Sequence, residues 1–394
     1  MKQSVALYER RDWMRNSVNE KKSHKVLAAT LISILVLAVV AGAAYLAWKI
    51  QTQPERETPI NDSPAAETMN FSLDPGISYS HGVTEEKLFF YSAENIKIAN
   101  KDGELEQDFS LPLSQPFMSV SGRHALIADK GGRKAYLFRG SRQETMFELP
   151  ESIISASVNE GGNCVFVTKG ETHKCTVSVL DAKGNEKFRW NSGGLYVLDA
   201  DISDNGKDIA VSALNTDGGI LASNIILFNV DKETPFANDV YQDELFAAVR
   251  FNGSLLYAIG ESNAYIYNGY GKITGTIDYL ERELLSYNTD GETLALFFSG
   301  SGLSIGSGDL ETYNTKGERL GQFHCAQEVS YLDAMGGRIA LGSGRVVSIL
   351  NTKCKEEFQI SIGMDLLDFM FFDGEARAVG ISAADALMVR VNKG

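Results

Sequence analysis

The sequence predicts an all-β protein, an eight-bladed β-propeller with four-stranded antiparallel blades; composition and two repeating patterns support this. The 394 residues include 20 Phe, 15 Tyr and 37 Gly but only 8 Pro, a mixture that favours strands and tight turns. A pattern of apolar strand, polar turn and apolar strand recurs along the chain, as in TYNTKGERLGQF. A second series of turn glycines falls between its copies. Each unit of about 40 residues therefore contains two hairpins, which is typical of a propeller blade.

The recurring polar turn begins with Asn or Asp in seven of its eight copies. These short side chains bond to nearby backbone and tolerate turn dihedral angles, whereas Arg139 does not fit this chemistry. The turn residues are 37 to 48 positions apart: Asn100, Arg139, Asp181, Asn229, Asn268, Asn314, Asn351 and Asn392. The glycines of the second series are Gly82, Gly122, Gly161, Gly206, Gly253, Gly291, Gly337 and Gly374. The two series alternate, so eight units predict eight blades.

The eighth unit has room for three strands only. We expect its fourth strand to come from the N-terminal side of the propeller, where MNFSL (Met69–Leu73) has the right length. This strand would pair beside Leu387–Val391 and close the ring. Closure is favourable because an open strand edge exposes backbone donors and acceptors to other chains.

One uncharged apolar segment, residues 26–48, predicts a transmembrane helix. A helix of about 23 residues is about 35 Å long, enough to cross a hydrocarbon layer of about 30 Å. Basic residues dominate residues 1–25, so this tail is expected in the cytoplasm and the C-terminal domain outside it. The basic residues are Lys2, Arg10, Arg11, Arg15, Lys21, Lys22 and Lys25. A cleaved signal peptide ending near Ala41–Ala44 is the alternative, although the apolar run is longer than such signals usually are.

The segment between the predicted membrane span and the propeller, residues 49–68, contains three of the eight prolines and few large apolar residues. It is expected to be a linker that lets the domain of residues 69–394 stand off the membrane. Beyond Lys49 the chain has 29 basic and 48 acidic residues, a formal charge of −19. This charge argues against binding nucleic acid.

The blades resemble those of quinoprotein-like and WD40-like propellers. LDAKGNEKFRW (Leu180–Trp190) is similar to the turn-and-tryptophan motif of the quinoprotein group, and the resemblance extends over about residues 69–394. With the predicted membrane span, the whole chain resembles uncharacterised single-pass membrane-anchored bacterial propellers, a domain of unknown function. This resemblance implies a fold and a placement in the cell envelope, and it implies no activity.

Motifs that would indicate catalysis are missing from the sequence. Trp190 is the only tryptophan of the predicted propeller, whereas a quinoprotein dehydrogenase needs aromatic residues to stack on its cofactor. The five histidines form no metalloprotease pattern, and SDNGKD lacks the alternating acidic residues of a calcium loop. We therefore expect no cofactor, no metal and no catalytic residue.

The longest segments between the second and third strands of a unit are 212–224 and 298–309. In propellers these loops share one face with the connections between blades, and insertions on one face mark a binding side. The candidate binding residues are Asn215, Asp217, Ser299, Ser301, Ser304 and Asp309. Two functions remain open: a membrane-anchored module that binds a protein or envelope polymer, and an extracytoplasmic enzyme or sensor with a small ligand in the channel.

The cysteines offer a candidate disulfide between Cys164 and Cys175. A two-residue turn at Lys169 and Gly170 would place the two cysteines directly opposite each other, and an extracytoplasmic domain permits oxidation. Two free thiols are an equally open alternative. A metal site with His173, or a pair of Cys325 with Cys354, is a further option.

Overall fold

The computed structural model describes residues 60–61, 66–69, 72–74, 76–216, 221–300, 306–373, 377–383 and 385–391. The predicted cytoplasmic tail and membrane span lie outside these residues. The described ranges contain no helix with the length and hydrophobicity of a membrane span. Every regular element of these ranges is a β-strand, and the strands form eight sheets of four. An eight-bladed all-β propeller is thus confirmed.

Six blades are consecutive in sequence, each with its four strands in order from the channel outward. Blade 1 is β3–β6 (Ser80–Val83, Lys87–Tyr91, Asn95–Asn100, Leu105–Ser110), and blade 2 is β7–β10 (Pro116–Ser121, His124–Asp129, Lys134–Arg139, Arg142–Glu148). Blade 3 is β11–β14 (Ile153–Val158, Cys164–Lys169, Cys175–Leu180, Glu186–Ser192), and blade 4 is β15–β18 (Tyr196–Ile202, Asp208–Asn215, Ala222–Asn229, Ala237–Gln242). Blade 5 is β19–β22 (Phe246–Asn252, Leu255–Gly260, Asn263–Tyr267, Ile273–Asp278), and blade 6 is β23–β26 (Leu284–Asp290, Thr293–Ser299, Gly308–Tyr313, Arg319–Cys325).

The last two blades each contain a strand from the N-terminal side of the propeller. Blade 7 is β27–β29 (Tyr331–Met335, Arg338–Asn351, Glu356–Leu366) with β1 (Ile60–Asn61), which pairs parallel to β29. Blade 8 is β30–β32 (Asp368–Asp373, Arg377–Ile381, Ala386–Arg390) with β2 (Ala66–Thr68), which pairs antiparallel to β32. The residues in this ladder precede the predicted closing segment Met69–Leu73, and they fall within the range assigned to the linker.

The Asn-led turns use their side chains as the sequence predicts. Asn314 Oδ1 accepts hydrogen bonds from the backbone amides of Lys316 and Glu318 at 2.9 and 3.0 Å. The equivalent pair of bonds forms at Asn100, Asp181, Asn268 and Asn351, and the first bond of the pair forms at Asn229. Arg139 instead precedes Gly140, whose φ is 58°. Asn392 lies outside the described residues.

The second glycine series is confirmed at five positions, which have φ between 53° and 82°: Gly122, Gly206, Gly253, Gly291 and Gly337. In the third unit the positive φ belongs to Gly162 instead of Gly161. The prediction is wrong for Gly82, which lies inside β3. A Cβ there would lie 1.6 Å from Met118 Cε, so Gly82 allows the inner strands of blades 1 and 2 to approach. Gly374 lies outside the described residues.

The hydrophobic core lies between neighbouring blades, where their faces pack together. The second and third strands of a blade are buried on both faces, as in β8 (HALIAD), whose central residues ALIA form a continuous apolar run. The outer strand β10 alternates between exposed and buried side chains. One core cluster joins Val177 and Val179 of blade 3 to Ile209 and Val211 of blade 4. The packing therefore needs a neighbour on each side, which a closed ring provides.

Candidate functional site: the channel and the connection face

The innermost strand of each blade is a sheet edge, so some of its backbone amides point towards the next inner strand and need acceptors. Carboxylates supply them. Asp199 of blade 4 accepts a hydrogen bond from the backbone amide of Val249 in blade 5 at 3.1 Å, and Asp201 accepts from Phe251 at 2.7 Å. Asp333 of blade 7 accepts from Phe371 of blade 8 at 2.7 Å.

Each of these carboxylates also accepts a bond from the preceding blade. Ser155 Oγ donates to Asp199 at 2.6 Å, and Ser157 Oγ donates to Asp201 at 2.5 Å. Asn288 Nδ2 of blade 6 donates to Asp333 at 2.9 Å. Each of these three carboxylates thus connects three successive blades, and both of its oxygens accept hydrogen bonds.

We call the carboxylates Asp199, Asp201 and Asp333, with their hydrogen-bond partners, the polar belt of the channel. Two further contacts belong to it. Arg250 Nη1 donates to Asp199 and to its neighbour's carbonyl, Val249 O. His81 Nε2 of blade 1 lies 2.7 Å from Asp368 Oδ2 of blade 8. Since the N-terminal and C-terminal parts of the chain meet between these two blades, the His81–Asp368 contact lies at the seam of the ring.

Burial raises the pKa values of two carboxyl groups of the belt. It raises the pKa of Asp201, and it raises the pKa of Asp333 to about 7, although hydrogen bonds from the Phe371 and Ala334 amides and from Asn288 act in the opposite direction. Raised carboxyl pKa values indicate a catalytic acid only where a proton can reach a substrate. Here the oxygens bind neighbouring strands, and the described residues contain no cluster of three His, Cys, Asp or Glu suited to a metal. The belt is explained by ring assembly.

The connection face carries the candidate binding residues. We define it as the face with the loops between the second and third strands and the connections between blades; the turn face carries the Asn-led turns. Asn215 ends β16 and pairs with Ala222, and Ser299 ends β24 and pairs with Gly308. Asp309 Oδ1 contacts His324 Nδ1 at 3.0 Å on the outer strands of blade 6. Asp217, Ser301 and Ser304 lie outside the described residues. The two predicted loops are thus separated by blade 5.

A pocket of about 680 Å³ opens on the connection face between blades 5 and 6. Its floor is mainly apolar: Leu245, Ala247, Ala248, Ile259, Leu284 and Leu285. Its rim contains Glu261, Glu281 and Glu283, all exposed. Ala247 also lines the central channel, where a second cavity measures about 600 Å³, so the pocket lies at the channel mouth.

A β-bulge explains why the pocket is in this place. The innermost strands of blades 3, 4, 5 and 6 each contain a bulge near their start, at the second residue in blades 3, 5 and 6 and at the third residue in blade 4. A bulge redirects the side chain of the extra residue. That residue is Ile154, Leu198 and Leu285 in three of the blades and Ala247 in blade 5. The wall of the pocket therefore carries the smallest of the four bulge side chains at Ala247.

The connection from blade 5 to blade 6 contains two consecutive residues in the left-handed region, Leu280 (φ 54°) and Glu281 (φ 60°). Residues other than glycine in this region cost about 1–3 kcal/mol each and persist where the surroundings impose them. The same connection leaves the side chain of Leu280 71% exposed. A strained backbone thus presents an apolar side chain to solvent beside the pocket.

Arg282 fixes this connection to blade 6. Its guanidinium donates two 3.0 Å hydrogen bonds to Glu311, whose side chain is 2% exposed, and stacks over the Phe298 ring with 4.0 Å to the centroid. Arg319 and Tyr313 Oη also donate to Glu311. The charge of Arg282 is therefore compensated within the fold, and the exposed rim remains acidic.

The predicted pairing of Cys164 with Cys175 is wrong. The loop after β12 contains five residues, 170–174, so Cys164 lies opposite Leu180 and Cys175 opposite Lys169. All four thiols are free and buried. Burial raises the pKa of Cys164 and Cys175, which keeps both protonated and unreactive at neutral pH.

Comparison with known proteins places the chain in a family. Residues 77–390 match a family of unknown function, DUF5711. The chain belongs to DUF5711. Comparison of this DUF5711 propeller with curated proteins gave no match.

Solved structures share the propeller fold at low sequence identity. BamB from Moraxella catarrhalis has a TM-score of 0.54 at 14% identity, with 84% of this chain and 99% of BamB covered. The C-terminal WD40 domain of Sif2 has a TM-score of 0.57 at 11% identity, with 83% and 100% covered. These values support the fold and the expected WD40-like resemblance.

Proposed function

We propose that this protein is a membrane-anchored extracytoplasmic binding module of the cell envelope. In this proposal residues 26–48 span the membrane, residues 1–25 stay in the cytoplasm and the N-terminal strand closes the ring. The propeller then holds a protein or polymer partner on its connection face. The observation that carries the binding function is the solvent-open apolar pocket of that face, because exposed apolar surface of this kind marks interaction sites.

The alternative is an extracytoplasmic enzyme or sensor with a small ligand in the channel. The polar cavity of about 600 Å³ favours it, because its size suits a small molecule. The belt carboxylates argue against it, since each already binds side chains and amides of neighbouring blades. The connection face is therefore the better-supported site.

The placement across the membrane can be tested by cysteine labelling in intact cells. The four native thiols are buried, so an introduced cysteine gives the signal against a low background. A membrane-impermeant maleimide is expected to label Tyr270→Cys, whose parent side chain is 84% exposed on the turn face. Ser4→Cys, in the predicted cytoplasmic tail, should react only after permeabilisation. Labelling of Ser4→Cys in intact cells, or protection of Tyr270→Cys, would contradict the proposed topology.

The binding function can be tested by photo-crosslinking of the full chain in its native membrane. A benzophenone amino acid replaces Glu171, Leu221 or Glu283 on the connection face, and Lys183, Tyr270 or Lys316 on the turn face. All six parent residues are exposed. We expect one discrete crosslinked partner from connection-face positions and none from the turn face. If no position crosslinks a partner and a small-molecule panel raises the melting temperature instead, the channel alternative replaces this proposal.

A further inference from the structure

We propose that the pocket between blades 5 and 6 binds a partner polypeptide segment that carries a bulky apolar side chain flanked by Lys or Arg. This inference rests on the proposed function and specifies its partner. The pocket receives the apolar side chain, and the acidic rim receives the basic residues. Such a segment would contact both the apolar pocket and the acidic rim of the site.

The fold leaves apolar surface uncovered at and beside this pocket. Leu285, which lines the pocket, is 47% exposed, and Leu280, which directly precedes the rim residue Glu281 in the chain, is 71% exposed. Ala247 presents a small side chain to the pocket, whereas the equivalent bulge residues of blades 3 and 4 are Ile154 and Leu198. A Leu, Ile, Met or Phe side chain of a partner would fill this space and cover the exposed leucines.

The carboxylates of the rim favour a positively charged partner. Glu261, Glu281 and Glu283 surround the pocket, and none of them forms an ion pair with a described residue. The nearest cation, Arg282, is engaged by Glu311. Uncompensated carboxylates around an apolar pocket attract a cationic segment and repel an acidic one.

The probe is a random dodecapeptide display library, selected on the full-length chain in detergent micelles. Ala247→Leu is the counter-selection target, because leucine at this exposed position should fill the pocket without overpacking the core. We expect enriched peptides to share one large apolar residue with at least two Lys or Arg nearby. A consensus with acidic flanks, or the absence of any consensus, would overturn the proposal.

Point variants then separate the contribution of the apolar pocket from that of the acidic rim. The measured quantity is the Kd of one synthetic consensus peptide. We expect Ala247→Leu and the double variant E281K/E283K each to weaken its Kd at least tenfold. Leu280→Gly should weaken it severalfold while the melting temperature stays equal or rises, because glycine relieves the left-handed backbone at this position. A merely structural role for Leu280 would show the opposite pattern.

Two matched controls test whether the effect is local. Tyr270→Ser removes an exposed aromatic side chain from the turn face, and Glu171→Lys reverses an exposed charge on the connection face of blade 3. Both should leave the Kd unchanged. Equal loss in the controls and in E281K/E283K would show nonspecific charge attraction and would overturn the proposal.

The crosslinking experiment distinguishes this inference from the proposed function. If the native partner crosslinks equally to wild type and to Ala247→Leu, the pocket assignment fails while the binding function stands. If wild type crosslinks no partner, the proposed function itself fails.

Discussion

Replacement of Glu311 by alanine is expected to lower the free energy of unfolding by about 3–5 kcal/mol, as for other broken buried ion pairs. The Glu311 carboxylate receives hydrogen bonds from Arg282, Arg319 and Tyr313 while its side chain is almost completely buried. Alanine removes the shared acceptor and leaves the partly buried Arg282 guanidinium without its counter-charge. Urea unfolding followed by tryptophan and tyrosine fluorescence measures the loss.

Two comparisons make the Glu311 result specific. Arg345→Ala breaks the surface pair with Asp365, whose side chains are 61% and 74% exposed, and should cause no measurable change. Glu311→Gln keeps the volume and some of the hydrogen bonds, so its loss should lie between those of the other two variants. A Glu311→Ala midpoint equal to that of Arg345→Ala would show that the network does not stabilise the connection between blades 5 and 6.

The protonation of Glu311 gives the same network a pH dependence. Burial alone raises the pKa of this carboxyl, but hydrogen bonds from Arg282 and Tyr313 and the charges of both arginines hold it below its usual value. A folded-state pKa below the unfolded one means that the contribution is present above the unfolded pKa and is lost as the pH falls through the folded pKa. The Glu311→Ala difference should therefore shrink in acid.

Much of the fold could be predicted because the turn chemistry is local. Asn314 and its equivalents bond backbone amides two and four residues later, so a short sequence window contains the whole motif. The second and third strands of each blade are buried on both faces, which their apolar runs reveal. The cysteine pairing could not be predicted, because a loop of two residues and a loop of five residues after β12 place different residues opposite Cys175.

The pocket was missed for a related reason. Loop length points to the longest loops, yet the pocket lies between blades 5 and 6, where the loop between β20 and β21 is short. The signal in the sequence is a small residue, Ala247, at a position where blades 3 and 4 have the larger residues Ile154 and Leu198. That comparison requires the bulge register, which depends on pairing between distant parts of each hairpin. The belt carboxylates were missed similarly, because Asp199 and Val249 are 50 residues apart in the chain.

Replacement of Asp333 by asparagine is expected to stabilise the protein more strongly at pH 8 than at pH 5. Burial raises the pKa of Asp333 to about 7, above the ordinary value of 3.8. A raised folded-state pKa means that its stabilising contribution is complete below pH 3.8 and is lost as the pH rises through about 7. At 1.36 kcal/mol per pKa unit the full loss would be about 4 kcal/mol; solvent in the channel should reduce it to about 2 kcal/mol.

Asparagine suits this position because it can keep hydrogen bonds to both partners of Asp333. The side-chain oxygen can accept the hydrogen bond from the Phe371 amide, while Asn288 reverses its amide group and accepts from the new Nδ2. The measurement is the difference in urea midpoint between Asp333→Asn and wild type at pH 5, 6, 7 and 8, since titrations common to both proteins cancel. Asp231→Asn, at an exposed carboxylate of a blade 4 turn, should show no such trend. A difference for Asp333→Asn that stays constant or falls towards pH 8 would mean that Asp333 ionises in the folded ring without cost.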